Sequence, residues 1–258
     1  MSDHTHACSG CGKGCSDSQA PPQQNEGAEI PLRQIKRVIG LMSGKGGVGK
    51  SLITALLATA LAKSGKQTAI LDADILCPSI PSLFRLQNRA ISGNAGLYPA
   101  ITAGGIKVMS LGLLMERETD PVIWPGPIQA KAAAQFWSDV IWDEVDYMLI
   151  DLPSGTGDVP QRVMKEFPLN GIFIISSPQA LAQTAAVRVK HMAQNLSIPV
   201  LGLIENFSED SSLATEDILD RLPPDPRLSI AADQGQIESL DHPYLVNSLS
   251  LLQQMAQQ

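Results

Sequence analysis

Residues 44–51 read GKGGVGKS and fit G-x4-G-K-[ST], a spacing suited to holding phosphate groups. Gly46, Gly47 and Gly49 let backbone N–H groups turn inward without side-chain clashes, and Val48 lies on the same path. Lys50 would reach the β- and γ-phosphates, and the Ser51 hydroxyl would ligate Mg²⁺. A glycine-rich turn before a core helix is the plain alternative. Two further stretches bring carboxylates. DADILCPSIP, residues 72–81, has Asp72 and Asp74 spaced i, i+2, so they would point the same way if the strand continued to Asp74. YMLIDLPSGTGD puts Asp151 at the end of an apolar run, the place for a carboxylate holding Mg²⁺ directly or through water. A third stretch, HTHACSGCGKGC at residues 4–15, holds Cys8, Cys11 and Cys15, three of the four cysteines. Their close spacing, interleaved with glycines, suits one iron-sulfur cluster or one zinc ion; a tail that binds nothing is the third option.

Strands and helices must bring these groups together. RVIGLMS before the glycine loop reads as a buried strand and GKSLITALLATALAKSG after it as a helix closed by Gly65. QTAILDAD, GIKVMSLG, YMLIDLP, GIFIISSP and PVLGLIEN read as further strands, with helices at 127–142 and 179–195. Alternating βα units predict an α/β fold with a mostly parallel sheet flanked by helices, where ligands collect at the carboxyl ends of strands. A last helix from about Tyr244 is expected on the sheet's edge. His191, His242 and the three tryptophans read as packing or surface residues, and Cys77 as a small buried apolar side chain.

Residues 16–29, SDSQAPPQQNEGAE, lack apolar periodicity and read as a linker with a reach of about 20 Å. The expected organisation is a Cys/His tail at 1–15, a flexible linker at 16–30 and a P-loop ATPase domain at 31–258. A net charge of −7 argues against non-specific nucleic-acid binding. No stretch has the length of a membrane span and no signal peptide is evident, so a cytoplasmic protein without a membrane partner is expected. In that compartment a cysteine cluster reads as a metal or redox site rather than a disulfide staple.

With Lys45 beside the first glycine, the loop resembles the deviant Walker A group, the ParA, MinD and nitrogenase-iron-protein class. That resemblance implies an ATP-coupled homodimer in which Lys45 reaches the partner's phosphates. It also implies that Asp74 orients the attacking water while Asp72 supports the magnesium shell. DADILCPSIP, DLPSGTGD, SSPQALAQTAAVRV and LIENFS together resemble the Mrp family, also called ApbC, of ATP-binding iron-sulfur cluster carriers, from about Arg37 to Gly235. The resemblance implies an adenine contact for Asn206, a base-covering segment at LPPDPRLSIAADQG, and an apo iron-sulfur client or scaffold as partner. It makes a [4Fe-4S] cluster the implied cargo. The chain departs from that pattern by having no C-x2-C pair after the EN phrase, and by Leu52, Cys77 and Ser154 in place of the usual threonine, glycine and proline. A related C-x3-C-x2-C-x3-C tail in some Mrp proteins places His4 at the first ligand position; His6, Cys77 or a partner's thiol compete for it. A positioning switch like ParA or MinD, and an ATP-driven redox protein like the nitrogenase iron protein, are the competing functions. The first is weakened by a C-terminus without Lys or Arg, and the second by the single cysteine in the body.

Overall fold

The apolar runs become the strands of one sheet. The computed structural model describes residues 34–86, 90–93, 96–117, 120–208 and 218–255. The elements in the first half are β1 (Gln34–Ser43), α1 (Lys50–Lys63), β2 (Thr68–Asp72), α2 (Ile80–Leu83), β3 (Ile91–Gly93), β4 (Gly96–Tyr98), β5 (Ala100–Ile101) and β6 (Lys107–Met109). A 3-10 turn at Leu111–Leu113 precedes α3 (Gly126–Asp139), β7 (Glu144–Asp151), α4 (Asp158–Glu166), β8 (Gly171–Ser176) and α5 (Ala180–Asn195). The chain continues with β9 (Val200–Asn206), β10 (Ile218–Leu222), α6 (Pro226–Asp233) and α7 (Val246–Met255).

The eight-stranded sheet has the order β10-β9-β8-β1-β7-β2-β6-β5, and every neighbouring pair is parallel except β5 with β6. Parallel strands are covered on both faces, which explains their near-continuous apolar sequences. In β1, Ile39 and Leu41 face a layer with Leu56 of α1, Leu228 of α6 and Leu252 of α7. Val38 and Met42 face the opposite layer, with Phe136 of α3, Val159 of α4 and Val189 of α5. The carboxyl ends of β1, β7 and β2 are therefore neighbours, with Leu41 in register with Asp151 and Asp72 in register with Asp151.

Several expectations need correction. QTAILDAD does not stay extended to its end: β2 stops at Asp72, and Asp74 sits in the following loop, so the two carboxylates do not share a strand face. The helix expected at 127–142 ends at Asp139, because Val140 turns extended and the Ile141 amide donates to the Leu97 carbonyl at 2.8 Å, which sends Trp142 into the core. Cys77 is exposed rather than buried. The short strands β3, β4, β5 and β10 were not foreseen; a few residues at a sheet margin carry too little periodicity to stand out.

The last helix does sit on the edge strand, where Asp220 of β10 accepts from the Asn247 and Ser248 amides at 3.2 and 2.8 Å. It also reaches the sheet's centre: Tyr147 Oη donates to the Leu252 carbonyl at 2.8 Å, and Arg37 Nη2 donates to the Met255 carbonyl at 2.7 Å. No helix among the described residues is long and apolar enough to cross a membrane.

Candidate nucleotide-binding site

Helix α1 is rich in Ala and Leu, good helix formers, and is buried along most of its length. Its N-terminus has no side-chain cap and no acidic residue in the first turn. Uncapped N–H groups and the helix dipole together favour an anion at that point. Gly49, the residue before the helix, has φ 83°, and a Cβ there would overlap Asn206 Nδ2. Only glycine takes that conformation without strain. Gly44 serves differently: a Cβ would collide with the Ala185 backbone, so this glycine lets β1 and α5 approach closely.

Asp151 is fully buried at the end of β7. Lys50 Nζ lies 2.8 Å from its Oδ1, the Ser51 hydroxyl donates to its Oδ2 at 2.6 Å, and Thr54 Oγ1 lies 2.8 Å from Oδ1. A buried charge needs such pairing. Lys50, Ser51 and Asp151 are thus gathered at the uncapped helix end as the sequence implied. Thr54 was missed; its signal was a polar residue one turn after Lys50 on an apolar helix.

Asp72, equally buried one strand away, is held by neutral groups. The Ser110 hydroxyl donates to its Oδ2 at 2.9 Å, the Ile80 amide donates to the same oxygen at 3.4 Å, and the Asp74 amide donates to Oδ1 at 3.2 Å. Burial, followed by the negative charge of Asp151, raises its pKa well above the carboxylate range. Both of its oxygens accept from the chain's own donors, as both oxygens of Asp151 do. The Asp72 bonds to the Asp74 and Ile80 amides fasten the loop carrying Asp74. Asp74 is half-buried, burial raises its pKa, and its Oδ1 accepts from the Cys77 amide at 3.2 Å.

A cavity of about 320 Å³ opens over these groups, lined by Gly46, Lys50, Ser51, Asp74, Cys77 and Ser154. A second, of about 400 Å³ and mostly apolar, adjoins it between Leu52, Asn206, Phe207, Pro223, Pro224 and Ile230. The buried Asn206 donates from Nδ2 to the Val48 carbonyl at 3.0 Å and accepts the Phe207 amide at 3.0 Å, bracing the glycine loop from β9. The Gly155 amide donates to the Ser43 carbonyl at 2.8 Å, which ties the loop after β7 to the start of the glycine loop. Lys45 is exposed and makes no hydrogen bond or ion pair among the described residues. Cys8, Cys11, Cys15, His4 and His6 lie outside the described residues. Among the described residues no group of three or more His, Cys, Asp or Glu side chains is placed to hold a metal ion.

A glycine loop feeding an uncapped helix, with a lysine and a hydroxyl converging on a buried strand-end carboxylate, is the apparatus of a P-loop protein. The sequence profile of the ParA family described as NUBPL iron-transfer P-loop NTPase matches residues 34–221. The chain belongs to this family. An iron-sulfur cluster carrier protein from Methanocaldococcus jannaschii is 43% identical over 188 residues, 72% of this chain and 65% of that protein. The chain thus spans slightly less than two thirds of that relative's length. Another protein of that name, from Clostridium perfringens, is 38% identical over 216 residues, 78% of this chain and 76% of the relative. A solved nucleotide-binding protein from Archaeoglobus fulgidus in complex with ADP superposes with a TM-score of 0.69 at 37% identity, covering 81% of this chain and 90% of that one.

The donor set of this ParA-family chain suits a nucleotide with a hard cation. Ser51 Oγ and Asp151 Oδ2 are oxygen donors 2.6 Å apart, the chemistry that Mg²⁺ prefers. Lys50, 7% exposed, opens onto the same cavity. The apolar walls beside Asn206 give a planar base somewhere to lie.

Proposed function

We propose that this chain is an ATP-dependent iron-sulfur cluster carrier or assembly factor, working as a homodimer whose state follows the bound nucleotide. The observation that carries the reading is the convergence of Lys50, Ser51 and Asp151 at the uncapped start of α1. Relatives named iron-sulfur cluster carrier protein support the choice of cargo.

Glycine-loop amides at Gly46, Gly47, Val48 and Gly49 bind the phosphates, and Lys50 exchanges its contact with Asp151 for a phosphate oxygen. Ser51 and Asp151 would hold Mg²⁺, with Asp72 supporting its shell, and the ion would supply positive charge beside the phosphates. Asp74 orients the attacking water from the loop beside the cavity. Asn206 holds the base next to the apolar wall. Lys45, exposed at the start of the glycine loop, reaches the phosphates of the other protomer. Hydrolysis is slow and partner-dependent, and an apo iron-sulfur client or scaffold receives the cluster.

The cluster is cargo, taken by Cys8, Cys11 and Cys15, with His4 as the fourth ligand. Thiolates are its ordinary ligands, and outside this tail the chain has Cys77 alone. Anaerobic reconstitution tests the whole reading, with iron, acid-labile sulfide and zinc measured on the wild type and on a Cys8/Cys11/Cys15→Ala variant. Iron and sulfide in the wild type and neither in the variant are expected. Full loading of the variant removes the tail from the proposal, and zinc without sulfide replaces the cluster by a structural metal. Failure to take up ATP with magnesium would sink the carrier reading altogether.

A further inference from the structure

Asp74 must be held in place by something outside its own loop, since β2 ends two residues before it. The loop of residues 73–79 is gripped at both ends by one side chain: Asp72 Oδ1 accepts the Asp74 amide and Oδ2 accepts the Ile80 amide. That grip depends on the direction in which the Asp72 carboxylate is turned. Its own strand does not fix the rotamer, and across the register lies Asp151, whose negative charge repels it.

Ser110 supplies the missing constraint. It follows β6, the strand on the other side of β2, and is completely buried. Its hydroxyl donates to Asp72 Oδ2 at 2.9 Å and accepts the Gly112 amide at 3.3 Å, so both its donor and an acceptor site are used and its rotation is locked. The 3-10 turn that Ser110 caps passes close to the loop as well, for a Cβ added at Gly112 would come into van der Waals contact with Pro78 and Pro81.

We infer that Ser110 is a positioning residue for nucleotide hydrolysis: it orients the Asp72 carboxylate, which clamps the ends of the 73–79 loop and thereby sets Asp74 over the phosphate cavity. The inference rests on the ATPase reading above. Its particular content is that the chemical step depends on a hydroxyl that lies outside the phosphate-binding loop, while nucleotide binding does not. Binding is carried by the glycine loop, α1, β7 and Asn206, whereas the Ser110 hydroxyl bonds to Asp72 and Gly112.

Single-turnover ATP hydrolysis and equilibrium ATP binding, both with magnesium, test it on the full chain. Ser110→Ala should lower the hydrolysis rate about tenfold with ATP affinity within about twofold of the wild type, the signature of misplacement at the reacting centre. Ser110→Thr, which keeps a hydroxyl, should recover most of the rate. Asp72→Asn should act through the same clamp. An amide cannot accept at both ends, so it forfeits either the Asp74 amide or the Ile80 amide together with the Ser110 donor. The double variant should therefore be no slower than the worse single one. Loss of affinity matching the loss of rate in Ser110→Ala, an unchanged rate, or additive losses in the double variant would each overturn the inference. Should Ser110→Ala fold poorly, the Thr and Asn variants carry the same comparison. A wild type that hydrolyses ATP and loses this with Lys50→Ala, while Ser110→Ala keeps pace, removes Ser110 and leaves the ATPase standing. A wild type without hydrolysis removes both.

Discussion

Asp72 and Asp151 sit in register on adjacent strands, both sealed from water, yet the chain treats them in opposite ways. Asp151 is given a lysine ammonium and two hydroxyls, all from one helix starting at Lys50. Asp72 is given two amides and one hydroxyl, from its own loop, α2 and the turn after β6. A cation compensates a buried charge, whereas neutral donors only moderate it. The difference separates a carboxylate compensated by a cation from one whose proton affinity is raised by burial and by its neighbour's charge.

The largest effect should come from breaking the charged side. Lys50→Ala leaves Asp151 buried without its ion pair, and loss of one partner of such a pair costs about 3 kcal/mol. ATP affinity should fall by at least about a hundredfold, a loss of about 2.7 kcal/mol in binding. Nucleotide titration and urea unfolding check the two numbers. Equal damage from Asp72→Asn would erase the distinction between the carboxylates.

The neutral side should be revealed by pH. With its folded pKa pushed up to about 8 by burial and by Asp151, Asp72 binds a proton more tightly in the native state than in the unfolded chain. Its protonated form therefore favours folding. This contribution is complete below the ordinary carboxylate pKa near 4 and is lost as pH rises through the folded value. Without nucleotide or magnesium, wild-type stability should decline relative to Asp72→Asn between about pH 4 and 8. Urea midpoints of the two proteins across that window test the sign, and a difference independent of pH would show Asp72 ionised throughout.

The same contrast governs what could be read from the sequence. Lys50, Ser51 and Asp151 were legible because spacing on one helix and position at one strand end suffice to define them. The strands that carry them are apolar throughout, so the sheet was legible too. Ser110 carried no signal: it is a serine between an apolar strand and Leu111, and its importance comes only from β6 pairing beside β2. Asp72 was legible as a strand-end carboxylate, but its hold on the Asp74 loop was not, since a DxD spacing does not say where the strand stops. Thr54 stood within reach of a careful reading of α1. The exposure of Cys77 follows from the loop leaving the sheet after Asp72, which apolar averages along the chain do not resolve.

A smaller change sharpens the comparison from within the charged side. Thr54→Val removes one hydroxyl from Asp151 and leaves Lys50 and Ser51 in place. Hydrogen bonds to charged groups contribute about 1.5–3 kcal/mol, so destabilisation of about 2 kcal/mol is expected. ATP affinity should change only a few-fold, because Thr54 lies one turn behind the phosphate end of α1. Urea unfolding and nucleotide titration separate the two outcomes. A hundredfold loss of affinity would mean that Asp151 needs all three donors to stay oriented.

The smallest effect belongs at the other end of the same strand. Tyr147 lies four residues before Asp151 and is buried, and its hydroxyl donates to the Leu252 carbonyl, fastening α7 beneath the sheet. Tyr147→Phe keeps the ring in the core and removes that one neutral hydrogen bond, for an expected loss of about 1 kcal/mol. Nucleotide affinity and hydrolysis should be untouched, since nothing at the carboxyl ends of the strands moves when α7 loosens. If Tyr147→Phe slowed hydrolysis as Ser110→Ala is expected to, the reacting end of β7 could not be treated as separate from its foundation. The contrast between Asp72 and Asp151 would then reflect general rigidity rather than the donors around each carboxylate.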